Sequence, residues 1–203
     1  MSSTPGIDAA IERSGLVREA FETARVAHAG QFRNGAQQIP YIDHPRIVAE
    51  RLARQGFADE VLAAALLHDV VEDSETEVEE LRARFGDPVA DLVAAMTEDE
   101  AIEDYEQRKA EHRQRIAAAG DEALAIYAAD KLTNLAMLRD AYGEKGEAVG
   151  EQLDVPLDLK VAVWEADLDT LFERVPDLPL VREFADEMVG FWGDRANDAR
   201  ASG

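Results

Sequence analysis

Residues 61–67 form an uninterrupted apolar run that ends on His68-Asp69, and Glu72 and Asp73 follow one helical turn later. Elsewhere apolar residues recur at helical spacing and strand-like alternation is nearly absent, so the chain is expected to be all-α, with this run inside a third helix over residues 59–71. Residues four apart share a helix face, which places Glu72 one turn beyond His68 and Asp73 one turn beyond Asp69. Four polar groups at one end of an apolar helix are costly to bury without partners, and a divalent cation satisfies several of them at once.

Alone, the dipeptide fits a hydrated helix end equally well. Two other residues change that reading. His44 precedes Pro45 at a helix start, and Asp130 sits in a helix whose neighbours Leu124, Ile126, Leu132, Leu135 and Leu138 read as buried, where an aspartate needs compensation. His44, His68, Asp69 and Asp130 complete a four-ligand set for one buried metal. The chain has no cysteine, which excludes disulfides, thiolate metal sites and cysteine nucleophiles and leaves histidine and oxygen ligands.

With 203 residues, 46% of them hydrophobic, the chain can build one sizeable core. The expected organisation is a catalytic domain over residues 1–175, with a C-terminal helix and frayed tail over 176–203 packed on it. Forty-three acids against 21 lysines and arginines give a net charge of −22, a field that repels polyanions, so no nucleic-acid partner is expected. A small phosphorylated substrate remains compatible, because a metal and a few local cations reverse the potential inside a cleft. No segment reaches the roughly 20 apolar residues that span a bilayer, and residues 1–12 lack a basic start and an apolar core. A soluble, cytoplasmic protein without membrane contact is expected, its oligomeric state open to a homo-oligomer.

Helices are expected over residues 15–28, from Pro45 to a close at Gly56, and over 59–71. Another opens with capping-box spacing between Thr76 and Glu79, and Asp87-Pro88 starts the next. Residues 98–103 read as an acidic loop, 104–119 as a charged helix, and Gly120-Asp121 as the break before the helix carrying Asp130. A mobile stretch over 142–155 and helices over 156–174 and 180–192 complete the reading. His28 falls on the core side of its helix, and His112, among charged residues, is expected at the surface.

The blocks Ala27-His28-Ala29-Gly30-Gln31-Phe32-Arg33, Pro40-Tyr41-Ile42-Asp43-His44-Pro45 and Ala64-Ala65-Leu66-Leu67-His68-Asp69-Val70-Val71-Glu72-Asp73 resemble the HD-type hydrolase domain of the RelA/SpoT family. Arg84-Phe85-Gly86 through Met96-Thr97 and Asp130-Lys131-Leu132-Thr133-Asn134-Leu135 continue the match in the same order. The stand-alone small alarmone hydrolases are the most similar members. The resemblance implies an HD-domain helical bundle and manganese-dependent removal of the 3′-pyrophosphate of guanosine 3′,5′-bis(diphosphate), with iron or zinc as other cations the ligands suit. It implies that Glu72 and Asp73 position or deprotonate the attacking water. Arg33 would pack on the base, and Arg108 or Lys109, with Lys131 and Asn134, would meet the phosphates. Asn34 and Ala136 depart from the family, which often carries basic residues there. They motivate one alternative, another nucleotide as substrate; a second, a nucleotide-binding regulatory module, would be marked by a broken metal or acid position, and none is broken.

Overall fold

The computed structural model describes residues 4–33 and 39–201, with side chains through residue 197; Asn34 lies outside the described residues. It holds α1 (Ile7–Arg13), α2 (Gly15–Ala27), α3 (Asp43–Arg54), α4 (Asp59–Leu67), α5 (Val70–Asp73), α6 (Val78–Phe85), α7 (Asp87–Met96), α8 (Tyr105–Ala119), α9 (Asp121–Lys145), α10 (Leu157–Arg174) and α11 (Pro179–Ala201). The all-α expectation holds, with one small exception. Strands β1 (Phe32–Arg33) and β2 (Ile39–Pro40) pair antiparallel, with Phe32 opposite Pro40 and Arg33 opposite Ile39. No described helix is long and apolar enough to cross a membrane.

The apolar run makes α4 the central helix: every residue from Val61 to Leu67 is buried, because α2, α3, α7 and α9 surround it. A helix apolar on all faces has no solvent side, so it can exist only inside such a cage. α9 is the second spine. Its 25 residues extend about 37 Å at 1.5 Å per residue, and it is buried continuously from Ala123 through Thr133.

The third helix does not run unbroken to residue 71. α4 stops at Leu67, and α5 starts at Val70 after a turn at His68 and Asp69. His68 supplies the physical reason. Its Nδ1 donates to the Ala65 carbonyl at 2.8 Å, where a continuing helix would present the Asp69 N–H.

Other local expectations also shift. The Thr76–Glu79 box does not form: α6 begins at Val78, and Thr76 instead accepts from the Ser74 hydroxyl at 3.0 Å. Residues 142–152, within the stretch expected to be mobile, are helical. α9 continues through Tyr142 to Lys145 and passes into a 3-10 helix, Gly146–Gln152, with Tyr142 and Val149 buried. α1, absent from the sequence reading, tucks Ile7 and Ala10 into the core, and α11 runs past Trp192 to Ala201. Two breaks read as expected use glycine's access to positive φ: Gly86 (φ +84°) joins α6 to α7, and Gly120 (φ +105°) joins α8 to α9.

α11 packs along α9, where Phe191 is fully buried and meets Tyr142 edge-on, ring centres 5.3 Å apart. Phe191→Ala is therefore expected to cost about 3–5 kcal/mol of unfolding free energy, measured by urea denaturation. A loss under about 1 kcal/mol would mean that α11 is not part of the cooperative core.

Candidate metal centre and nucleotide cleft

The four expected ligands come from three elements and meet at one point. His44 stands in the first turn of α3, Asp130 in the buried half of α9, and His68 and Asp69 in the turn after α4. His44 Nε2 lies 3.0 Å from Asp130 Oδ1 and 3.7 Å from Asp69 Oδ2. His68 Nε2 lies 3.1 Å from Asp69 Oδ1 and 3.7 Å from Asp130 Oδ1. His44, His68 and Asp130 are all buried, and one ligand atom of each falls within 4.8 Å of the others.

The donor set fits a divalent cation. Because Nδ1 of His68 is committed to the Ala65 carbonyl, its Nε2 carries the lone pair that a metal needs, and this buried nitrogen has no hydrogen-bond partner. Without a cation the carboxylates must find positive charge elsewhere. Burial opposes a charged His68, yet Asp69 and Asp130 outweigh it and hold its pKa up to about 9. Burial likewise opposes an ionised Asp130, but Lys131, His44 and His68 hold it well below the usual carboxylate range.

Around this centre, Tyr41 donates its hydroxyl to Asp69 Oδ2 at 3.0 Å. Burial raises its pKa, as do the carboxylates of Asp69 and Asp73, so the phenol stays a donor. Lys131 Nζ donates to Asp130 Oδ2 at 2.8 Å, and Asn134 Nδ2 to Asp130 Oδ1 at 2.7 Å. Arg33 donates to Asn134 Oδ1 at 2.7 Å and leans over the Tyr41 ring, while its other terminal nitrogen is buried without a partner. Arg33, Lys131 and Asn134 thus converge as the sequence suggested, but they also brace Asp130.

Glu72 opens into the cleft as an exposed residue, yet its carboxylate is hemmed in. Burial, followed by the charges of Asp69 and Glu98, pushes its pKa up to about 7 against a hydrogen bond from the Glu98 amide, which sits 2.6 Å from Glu72 Oε1. Asp73 is not among the described residues that line the cleft; it faces the Tyr41 hydroxyl. Lys109 lines the cleft and Arg108 does not, and both are paired to Glu98. His112 is not on the surface. It is 1% exposed, bonded through Nε2 to the Ala95 carbonyl at 3.2 Å, because α8 turns His112 and Ile116 inward, and neighbouring charged residues of the same helix pair with Glu98 and Asp167.

A polar cavity of about 200 Å³ is lined by His44, Asp69 and Asp130 together with Glu72 and Lys131. It adjoins a larger one of about 640 Å³ with Phe32, Tyr41, Met137, Leu138 and Trp164 in its walls. Arg33, Asn134, Lys160 and Trp164 belong to both. Lys160 and Trp164, on α10, were not anticipated; lying thirty or more residues past Asp130 outside any motif block, they carried no local signal.

Residues 20–155 match the sequence family described as HD domain. The chain belongs to that family. Over 126 residues the HD domain is 36% identical to the guanosine-3′,5′-bis(diphosphate) 3′-pyrophosphohydrolase MESH1 of Xenopus tropicalis, covering 61% of this chain and 70% of that one. Over 153 residues it is 33% identical to a guanosine-3′,5′-bis(diphosphate) 3′-pyrophosphohydrolase of Aquifex aeolicus, covering 73% of this chain but only 22% of that protein. A solved structure of a metazoan SpoT ortholog that hydrolyzes ppGpp aligns with TM-score 0.73 at 28% identity, covering 87% of this chain and 96% of that one. The resemblance to RelA/SpoT hydrolase domains therefore holds in sequence and in fold.

A cation that binds only the folded site stabilises it by RT ln(1 + [L]/Kd), about 2.7 kcal/mol at a hundredfold excess over Kd. Manganese is expected to raise the melting temperature of the wild type, and His68→Ala and Asp130→Asn to abolish both that rise and the calorimetric binding signal. Undiminished manganese binding by both variants would displace the metal from this cluster.

Proposed function

We propose that this chain hydrolyses the 3′-pyrophosphate of guanosine 3′,5′-bis(diphosphate), releasing pyrophosphate, and that manganese is the cation held by His44, His68, Asp69 and Asp130. The observation that carries this reading is the convergence of an unpartnered His68 Nε2 with His44, Asp69 and Asp130 at the floor of a cleft large enough for a nucleotide. The names of the Xenopus and Aquifex relatives supply the substrate.

When bound, the cation supplies Lewis-acid polarisation of a phosphoryl oxygen and acidifies the attacking water. The protein's own groups do the rest. Glu72, opening into the same cavity, takes the proton of the water as it attacks the phosphorus nearest the ribose. The P–O3′ bond breaks, its electron pair stays on the 3′ oxygen, and that oxygen is protonated to give guanosine 5′-diphosphate and pyrophosphate. Asp73 supports this step by sharing the Tyr41 hydroxyl that orients Asp69. Lys131 and Asn134, one on each oxygen of Asp130, present their remaining N–H groups to the phosphates. Lys109 and Lys160 add positive charge on the cleft wall. The guanidinium plane of Arg33, already laid over Tyr41, is placed to stack on the base.

A base must be ionised to work, so a carboxyl whose pKa is raised loses activity as pH falls through that value. kcat/KM is expected to show a one-proton acid limb with its midpoint at or below about 7, since a bound cation favours the ionised Glu72. Glu72→Gln is expected to lower kcat at least a hundredfold while retaining manganese. A Gln variant with the full rate removes Glu72 from the mechanism; one that loses the metal reassigns it as a ligand.

The assignment of substrate is tested by incubating the protein and manganese with guanosine and adenosine 3′-pyrophosphorylated nucleotides and nucleoside monophosphates, with products resolved by chromatography. Guanosine 3′,5′-bis(diphosphate) is expected to yield guanosine 5′-diphosphate, and Ala136→Arg to lower its KM by supplying the family's cation. Rapid turnover of another nucleotide with none of this one would transfer the site to a different HD phosphohydrolase activity. Binding without turnover of any would make the chain a nucleotide-binding module.

A further inference from the structure

Glu98 lies in the α7–α8 loop, in a stretch that reads as an acidic connector. In the fold it is two-sided. Its main-chain N–H donates to Glu72 Oε1 at 2.6 Å. Its side chain is only 13% exposed and is gripped by α8: Arg108 Nε donates to Oε2 at 3.0 Å, Lys109 Nζ donates to Oε1, and His112 Nδ1 stands 3.6 Å from Oε1. Arg108 also donates through a terminal nitrogen to the Ile102 carbonyl at 2.9 Å, tying the same loop a second time. Burial opposes an ionised Glu98, but its contact with His112 and the charges of Lys109 and Lys131 hold the carboxyl well below the usual range, so the grip stays ionic.

A salt bridge this sheltered, with two cations on one carboxylate, restrains the loop more strongly than an exposed pair would. The loop in turn fixes the amide that aims Glu72. Resting on the assignment of Glu72 as the base, we propose that Glu98 is a positioning residue for Glu72, and that Arg108 serves the reaction by clamping Glu98 rather than by touching the phosphates. Arg108 is absent from the described residues lining either cavity, while Glu72, Glu98 and Lys109 line the polar one. The side chain of Glu98 sets the loop and its backbone sets the base. A glutamate at this position, although it lines the polar cavity, therefore acts on catalysis through Glu72.

The test is a double-mutant cycle on the full chain with manganese and guanosine 3′,5′-bis(diphosphate). Glu98→Ala and Arg108→Ala are each expected to lower kcat ten- to a hundredfold with KM changed less than threefold and manganese affinity kept, and Arg108→Lys to recover most of the rate. Because the effect passes through Glu72, adding Glu98→Ala to Glu72→Gln should lower kcat no further. Glu98→Gln, which keeps the side-chain volume, is the second variant if alanine does not fold, with a loss of at least fivefold in kcat expected. A rise in KM with kcat kept in Arg108→Ala would make Arg108 a substrate ligand and overturn the proposal. Equal losses from Glu98→Ala with and without Glu72→Gln would also overturn it, as would a wild-type rate in both Glu98 variants. A wild-type rate in Glu72→Gln alone instead refutes the assignment of the base, an outcome separate from these.

Discussion

Two histidine nitrogens and two carboxylates face one another inside the protein, and the surrounding structure is arranged to make that encounter possible. Charges placed beyond the reach of water must be neutralised within a few ångströms or the fold pays for them. Here the neutralising groups are layered. The ligand atoms of His44, His68, Asp69 and Asp130 share one point, Lys131 and Asn134 occupy the outer lone pairs of Asp130, and Tyr41 takes one from Asp69. The break in the helix after Leu67 belongs to the same constraint. The imidazole that ends α4 by bonding the Ala65 carbonyl is thereby turned so that its other nitrogen points at the centre.

That arrangement also gives an acidic protein a local cluster of cations. A net charge of −22 is spread over the surface, whereas Arg33, Lys109, Lys131 and Lys160 gather around one cleft. Burial, then the charges of Lys109 and Lys131, bring Lys160 down to about 8. Asp69, Glu72, Glu98, Asp130 and Asp167 line the same cavity, so a bound cation is what would turn the local field towards a phosphorylated ligand.

Behind the cleft, a second network keeps these cations in place. Arg113 donates to the fully buried Asp167 at 2.9 Å, and Lys131 rests over the Tyr127 ring, 4.6 Å from its centre. Asp167 and Tyr127 come from α10 and α9, so the packing of those two helices decides where the Lys131 ammonium stands. Part of the polar machinery thus relies on α8 and α10, which contribute none of the four candidate ligands.

The amino-acid sequence by itself determined the helical class and put forward four candidate ligands in their order along the chain. Those properties are local: burial writes a 3.6-residue period into each helix, and a histidine beside an aspartate at the end of an apolar run is visible without any partner. Tertiary structure decided what periodicity cannot record. His112 sits in a charged helix and is nonetheless buried, because one inward face of a turn suffices to hide it. Arg33 reaches Asn134 across 101 positions, and Glu98 reaches back 26 to Glu72. A side chain's spacing reports which face it occupies, but the group it meets there depends on which helices pack against that face. The choice between the two nitrogens of His68 was made the same way, by a carbonyl that becomes free only where the helix actually stops.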